Sequence, residues 1–76
     1  MLLVRPDCGL CETFEQELVR LARSEVLPHI ELVDVDSDPE LARRHGLDIP
    51  VLLWDGVVVC RHRLDQDELR RLLRPR

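Results

Sequence analysis

Two cysteines stand three positions apart, in Cys8-Gly9-Leu10-Cys11. Cysteines at this spacing, at the start of a helix, can close a small ring disulfide with little backbone movement. A sulfur at the first of the two positions meets the free N–H groups and the dipole of the helix start, which favour a thiolate. A thiolate is the species that attacks a disulfide. The second sulfur lies one turn further in, more buried, placed to resolve a mixed disulfide. Gly9 leaves room for a substrate backbone. Arg5 would add positive potential, while Asp7, Glu12 and Glu15 oppose it.

The elements around this pair can be read from pattern. Leu2, Leu3 and Val4 form a short apolar run that predicts a buried strand, broken at Pro6. From Leu10 the apolar residues Leu10, Phe14, Leu18, Leu21 and Ala22 recur at helical spacing, predicting an amphipathic helix that ends before Pro28. Ile30 to Val35 predicts a second strand. Asp38 as cap, Pro39 at the first helical position and Gly46 as stop predict a short second helix burying Leu41 and Ala42. Val51 to Trp54 and Val57 to Cys60, joined by Asp55-Gly56, predict a tight hairpin. Asp65 and Glu68 at capping-box spacing open a last helix with a Leu64–Leu69 staple and an apolar stripe of Leu69, Leu72 and Leu73. The first two strands should be parallel, with a right-handed crossover through the helix, and the last two antiparallel.

Composition narrows the function. A chain of 76 residues is expected to form one domain, 1–76, with a thin core. A net charge of −4 disfavours a phosphate-tracking surface, so nucleic acid is not an expected partner. All 11 basic residues are Arg, so lysine-base and Schiff-base chemistry are excluded. No apolar run approaches the ~20 residues of a membrane span. The opening Met1-Leu2-Leu3-Val4-Arg5-Pro6 is too short for a signal-peptide apolar region. A cytoplasmic protein is therefore expected. In a reducing compartment a close cysteine pair is more often catalytic or metal-binding than a structural disulfide.

Two other readings of the pair stand beside the redox one. The cysteines could simply pack. Alternatively they could supply two of the four ligands of zinc, with Cys60 and His62 as the others, although Cys60-x-His62 lacks the usual zinc spacing. Cys60, after three valines, reads first as a small core residue and second as a regulatory third thiol. Trp54 reads as cover for the sheet. His29, His45 and His62 have no adjacent partner that would make a Cys–His nucleophile, and Arg43-Arg44 reads as a solvated helix face or a contact for an acidic partner. Ile49-Pro50 places a proline where a strand begins, one of the few places a sheet tolerates it.

Taken together, the chain resembles the thioredoxin fold and, within it, the small glutaredoxin-like proteins of bacteria. The residues that carry the resemblance are Arg5-Pro6-Asp7-Cys8-Gly9-Leu10-Cys11, Val33-Asp34-Val35-Asp36 with Asp38-Pro39-Glu40-Leu41, Ile49-Pro50-Val51-Leu52, and Asp55-Gly56. It covers essentially the whole chain. It implies an α/β fold of three layers, a four-stranded mixed sheet in the order β-α-β-α-β-β-α. It implies a cis Pro50 beside the dithiol and an Ile49 backbone offered to an extended substrate as an added strand. It further implies thiol–disulfide oxidoreductase activity with Cys8 as nucleophile and Cys11 as resolving thiol. Gly9, Leu10, Ile49, Pro50 and Arg5 would bind substrate, a disulfide-containing protein or small molecule.

No bound cofactor or metal is expected, glutathione or a reductase is the candidate electron donor, and the chain is expected to act as a monomer away from membranes. The pattern departs from its relatives in three places. Gly9-Leu10 is neither Gly-Pro nor Pro-Tyr, Arg61-His62-Arg63 stands where glutaredoxins have Gly-Gly, and no tryptophan precedes Cys8. The alternatives to turnover are a redox-sensing module that docks on a partner through the Pro50 face, and a zinc or iron–sulfur carrier.

Overall fold

The computed structural model describes residues 1–73. Its elements are β1 (Leu2–Val4), α1 (Gly9–Ala22), β2 (Leu32–Asp34), a 3-10 turn (Val35–Ser37), α2 (Pro39–His45), β3 (Val51–Trp54), β4 (Val57–Arg61) and α3 (Gln66–Leu73). The four strands form one sheet in the order β2-β1-β3-β4. β1 runs parallel to β2 and antiparallel to β3, and β3 pairs antiparallel with β4.

Strand periodicity builds the layers. Successive strand residues point to opposite faces, so neighbours in β1 and in β3 part company. Leu2 and Leu52 pack with Phe14, Leu18 and Leu21 of α1 and Leu69 of α3. Leu3 and Val51 turn the other way and pack with Val35, beside Leu41 of α2 and Ile49. Helices on both faces of a four-stranded mixed sheet give the three-layer, thioredoxin-like α/β fold that the resemblance implies.

Local signals account for the boundaries. Asp38 caps α2, its carboxylate accepting from the Glu40 N–H at 2.8 Å, with Pro39 just inside the helix. Asp55 and Gly56 both take positive φ, 49° and 78°, as a tight two-residue hairpin requires. Asp65 accepts from the Glu68 N–H at 3.0 Å. The second half of that capping box is not made, because the Glu68 carboxylate turns to Arg71 instead.

Several expectations shift. β2 is shorter than Ile30 to Val35: the Asp34 carboxylate accepts from the Asp36 N–H at 2.9 Å and the Ser37 hydroxyl donates to the Asp34 carbonyl at 2.7 Å. These local bonds compete with the ladder and curl the chain into the 3-10 turn. On α1 the buried stripe is Cys11, Phe14, Leu18 and Leu21, while Leu10 and Ala22 lie exposed. Leu41 and Ala42 are half-buried rather than buried, since α2 lies over the thinner cluster. Leu72 leaves the α3 stripe and is 43% exposed. A register shift pairs Leu52 with Cys60 but Leu53 with Val58, a bulge that leaves Val59 as the extra residue of β4. Val59 and Cys60, adjacent in sequence, consequently both pack on the α1/α3 side.

Candidate functional site

β1 ends at Val4 and delivers the chain to Arg5-Pro6-Asp7. Asp7 takes φ 56°, a left-handed conformation that Asp tolerates better than most residues. The turn sets Cys8 in extended backbone as the cap of α1. The Cys8 sulfur accepts from the Cys11 N–H at 3.2 Å, and the Cys8 carbonyl accepts from the Glu12 N–H at 3.1 Å. Cys8 and Cys11 are joined as a disulfide across a Cα–Cα distance of 5.2 Å.

The two sulfurs occupy different surroundings. Cys8 is half-buried at the mouth of the turn. Cys11 is 2% exposed, on the buried stripe of α1 with Phe14. Around Cys8 the surface is open: nothing lies within 4 Å of where a Gly9 Cβ would stand, and Leu10 is 48% exposed. On reduction, the N–H aimed at Cys8 and the helix dipole both favour negative charge on that sulfur.

Leu3 of β1 faces Val51 of β3. The end of β1 that leads to Cys8 therefore lies at the same end of the sheet as Pro50, the residue before β3. Pro50 is buried, and the Ile49–Pro50 bond is cis. The Pro50 carbonyl accepts from the His62 N–H at 2.8 Å, which fastens the loop after β4 to the loop before β3. His62 turns there with φ 66°. Asp48 stands 3.9 Å from both Arg61 Nε and His62 Nε2. Ile49 is half-buried, its side chain against the Leu3–Val35–Val51 cluster.

A groove of about 320 Å³ borders the dithiol turn, lined by Leu10, Thr13, Phe14 and Glu17 of α1 and by His62, Arg63 and Leu64. The sequence singled out Leu10 beside the pair and the unusual Arg61-His62-Arg63. Thr13 and Glu17 were missed, and only their place on the α1 face next to Leu10 could have pointed to them.

Arg5 does not stand over the sulfurs as a free cation. Its Nε and Nη2 hold the two Asp36 oxygens at 2.8 and 3.0 Å, and Nη1 donates to the Gly46 carbonyl at 2.8 Å. The Asp36 carboxylate holds the Arg5 guanidinium above its ordinary pKa, and Arg5 holds Asp36 below the usual carboxylate range. Sequence reasoning overlooked Asp36 and Gly46, because nothing in local spacing links them to Arg5.

Cys60 is a free, half-buried cysteine on β4, and burial pushes its thiol pKa up. Trp54 lines a pocket of about 240 Å³ with Met1, His29, Leu52, Leu53 and Leu69. That pocket lies where β1 begins and β3 ends, away from the dithiol turn. Among the described residues no three His, Cys, Asp or Glu side chains come together as a metal-binding group. Among the described residues, no helix is long and apolar enough to cross a membrane.

Residues 1–74 match the model of the glutaredoxin-like domain (DUF836) family. Over 71 residues the chain is 31% identical to a Dictyostelium discoideum protein described as "Glutaredoxin-like protein YDR286C homolog". That alignment covers 86% of this chain and 65% of the relative, so the chain spans just under two thirds of the relative's length. No solved structure gives a significant match. With a family match across nearly its whole length, a four-stranded mixed sheet and a Cys8–Cys11 pair at the start of α1, the chain belongs to the glutaredoxin-like family.

Proposed function

We propose that the chain is a thiol–disulfide oxidoreductase that works through Cys8 and Cys11. The observation that carries the reading is the asymmetry of the pair: Cys8 caps α1 with an N–H aimed at its sulfur, whereas Cys11 is buried one turn further in. Cys8, as thiolate, attacks one sulfur of a substrate disulfide. The substrate S–S bond breaks, a Cys8–substrate bond forms, and the first substrate sulfur leaves as a thiolate and is protonated. Cys11 then gives up its proton and attacks the Cys8 sulfur. The second substrate thiolate leaves, and the Cys8–Cys11 bond closes. Two electrons pass from the dithiol to the substrate, and the chemistry needs no bound cofactor.

The substrate is an extended segment or small molecule bearing a disulfide. Gly9 and Leu10 give it open access to Cys8. The Ile49 backbone beside Pro50 pairs with it as an added strand. Glutathione or a reductase returns the electrons, and the protein acts as a monomer in the cytoplasm.

Trapping tests the order of the two cysteines. Cys8→Ser is expected to abolish reduction of a protein disulfide. Cys11→Ser is expected to attack once and stall as a mixed disulfide through Cys8, seen as a covalent adduct by mass spectrometry. An adduct formed by Cys8→Ser but not by Cys11→Ser would reverse the roles. Full turnover by both variants would place the reducing thiol outside the pair, and no reduction by the wild-type protein would leave a partner-binding module whose cysteines do no exchange.

A further inference from the structure

Arg5 lies three residues before Cys8, yet its guanidinium is engaged by Asp36 and Gly46. Nε and Nη2 grip both oxygens of Asp36 in the 3-10 turn, at 2.8 and 3.0 Å, and Nη1 reaches the Gly46 carbonyl at the end of α2, at 2.8 Å. One planar fork thus joins three segments that are far apart in sequence. Gly46 leaves no room for a side chain, chiefly because of the Ala42 carbonyl. Its φ of −56° is ordinary, so no left-handed conformation calls for glycine. A Cβ there would stand 3.1 Å from Arg5 Nη2 and 2.5 Å from the Ala42 carbonyl oxygen, so any side chain crowds the guanidinium.

Gly46 is also where the path to Pro50 starts. The Gly46 N–H donates to the Ala42 carbonyl and the Asp48 N–H to the His45 carbonyl, both at 2.9 Å, and Ile49-Pro50 follows at once. α2 itself has no buried residue to hold this end in place. A bidentate guanidinium fixes orientation as well as distance, which an ammonium does not.

We propose that Arg5 is a positioning residue: by clamping Asp36 and the Gly46 carbonyl, it holds the loop leading to Pro50 in register with the dithiol turn that carries Cys8. This deepens the dithiol reading and rests on it. A substrate that must meet Cys8 and the Ile49 backbone together needs the two loops at one spacing. A small disulfide that meets only Cys8 does not.

The test compares two substrates across variants. One is an extended peptide disulfide and the other is 2-hydroxyethyl disulfide. Arg5→Ala is expected to lower kcat/KM by about tenfold or more on the peptide, as misplaced reacting groups do, and by less than about threefold on the small disulfide. Asp36→Asn should show the same split. Arg5→Ala combined with Asp36→Asn should lose no more than the larger single loss, since residues of one contact do not add. Arg5→Lys decides between clamp and charge. It keeps the cation and loses the fork, so the clamp requires it to fail like Arg5→Ala on the peptide. Rescue by Lys, or equal losses on both substrates, would overturn the proposal in favour of charge acting on the Cys8 thiolate or of a plain loss of fold. Amide exchange supplies a readout that needs no turnover: Arg5→Ala should speed exchange at Gly46 and Asp48 while leaving β3 protected, and unchanged exchange would overturn the clamp. Wild-type protein that reduced neither substrate would overturn the dithiol reading itself, and the exchange result would still decide whether the clamp exists.

Discussion

On one face of the sheet α1 and α3 close over Leu2 and Leu52 with Phe14, Leu18, Leu21 and Leu69, all of them buried. On the other face α2 lies over Leu3, Val35 and Val51, and none of its own residues is buried. The first face is held by apolar volume. The second has a smaller apolar cluster and adds caps and a fork: Asp34 and Asp38 on backbone N–H groups, and Arg5 bidentate on Asp36 with a further bond to Gly46. The Glu40 pairs with Arg43 and Arg44 are exposed and contribute little. The single loop from α2 to β3, which carries Ile49 and Pro50, belongs to the second face. The deep face carries α1 with both cysteines, and the thin face carries the loop that places Pro50 at the same end of the sheet.

The sharpest break in this contrast is Phe14→Ala. Phe14 is 1% exposed at the centre of the deep face, and its loss should cost about 3–5 kcal/mol. That is much of the ~5–15 kcal/mol a domain holds. Leu41→Ala, half-buried on the thin face, should cost only on the order of 1 kcal/mol. Chemical denaturation of both variants measures the difference. Equal losses would mean that the two faces bear equal weight.

Next in size is the cap of α2. Asp38→Ala removes the acceptor for the Glu40 N–H and should cost about 1 kcal/mol. With no buried residue on α2, the damage should stay local. Hydrogen exchange should quicken through Pro39–His45 and leave α1 protected. Uniform quickening throughout the molecule would show that α2 is bound into the core after all.

These contrasts also separate what was legible in the sequence from what was not. β1, α1, the hairpin and the caps at Asp38 and Asp65 could be read because each rests on neighbours within a turn or two. The cysteine pair was legible for the same reason. β2 was read too long because Ile30 to Val35 is apolar enough for a strand, whereas the Asp34 side chain bonds ahead to the Asp36 N–H and ends it. Leu10 was placed on the buried face because it stands four residues before Phe14, yet Cys11, three before Phe14, is where the buried stripe starts. The Arg5–Asp36 fork spans 31 positions and the Arg5–Gly46 bond 41, and no local spacing encodes either. The groove wall at His62 to Leu64 is likewise a product of tertiary folding, brought to α1 by the bulged β4 and the His62–Pro50 bond.

The smallest expected effects are in the pH dependence, and the two faces should fail at opposite ends of the scale. On the thin face, Arg5 holds the Asp36 carboxyl below its ordinary pKa. The folded state then binds that proton less readily than the unfolded chain. Stability from this group is full above about pH 5 and drains away as pH falls through about 4 and below. Asp36→Asn should flatten that acid limb. On the deep face, burial pushes the Cys60 thiol up. Here the folded state holds the proton more tightly than the unfolded chain, so the contribution is intact below the ordinary thiol pKa of about 8.5 and is lost as pH rises past it. Cys60→Ala lowers stability at neutral pH, by roughly 1 kcal/mol for a small half-buried group, and should also flatten the alkaline limb. Denaturant midpoints measured from about pH 3 to pH 10 would show whether each variant changes one limb and spares the other. A Cys60→Ala protein that kept the full alkaline loss would place that loss elsewhere, and the thiol would then have no part in how the deep face meets alkali.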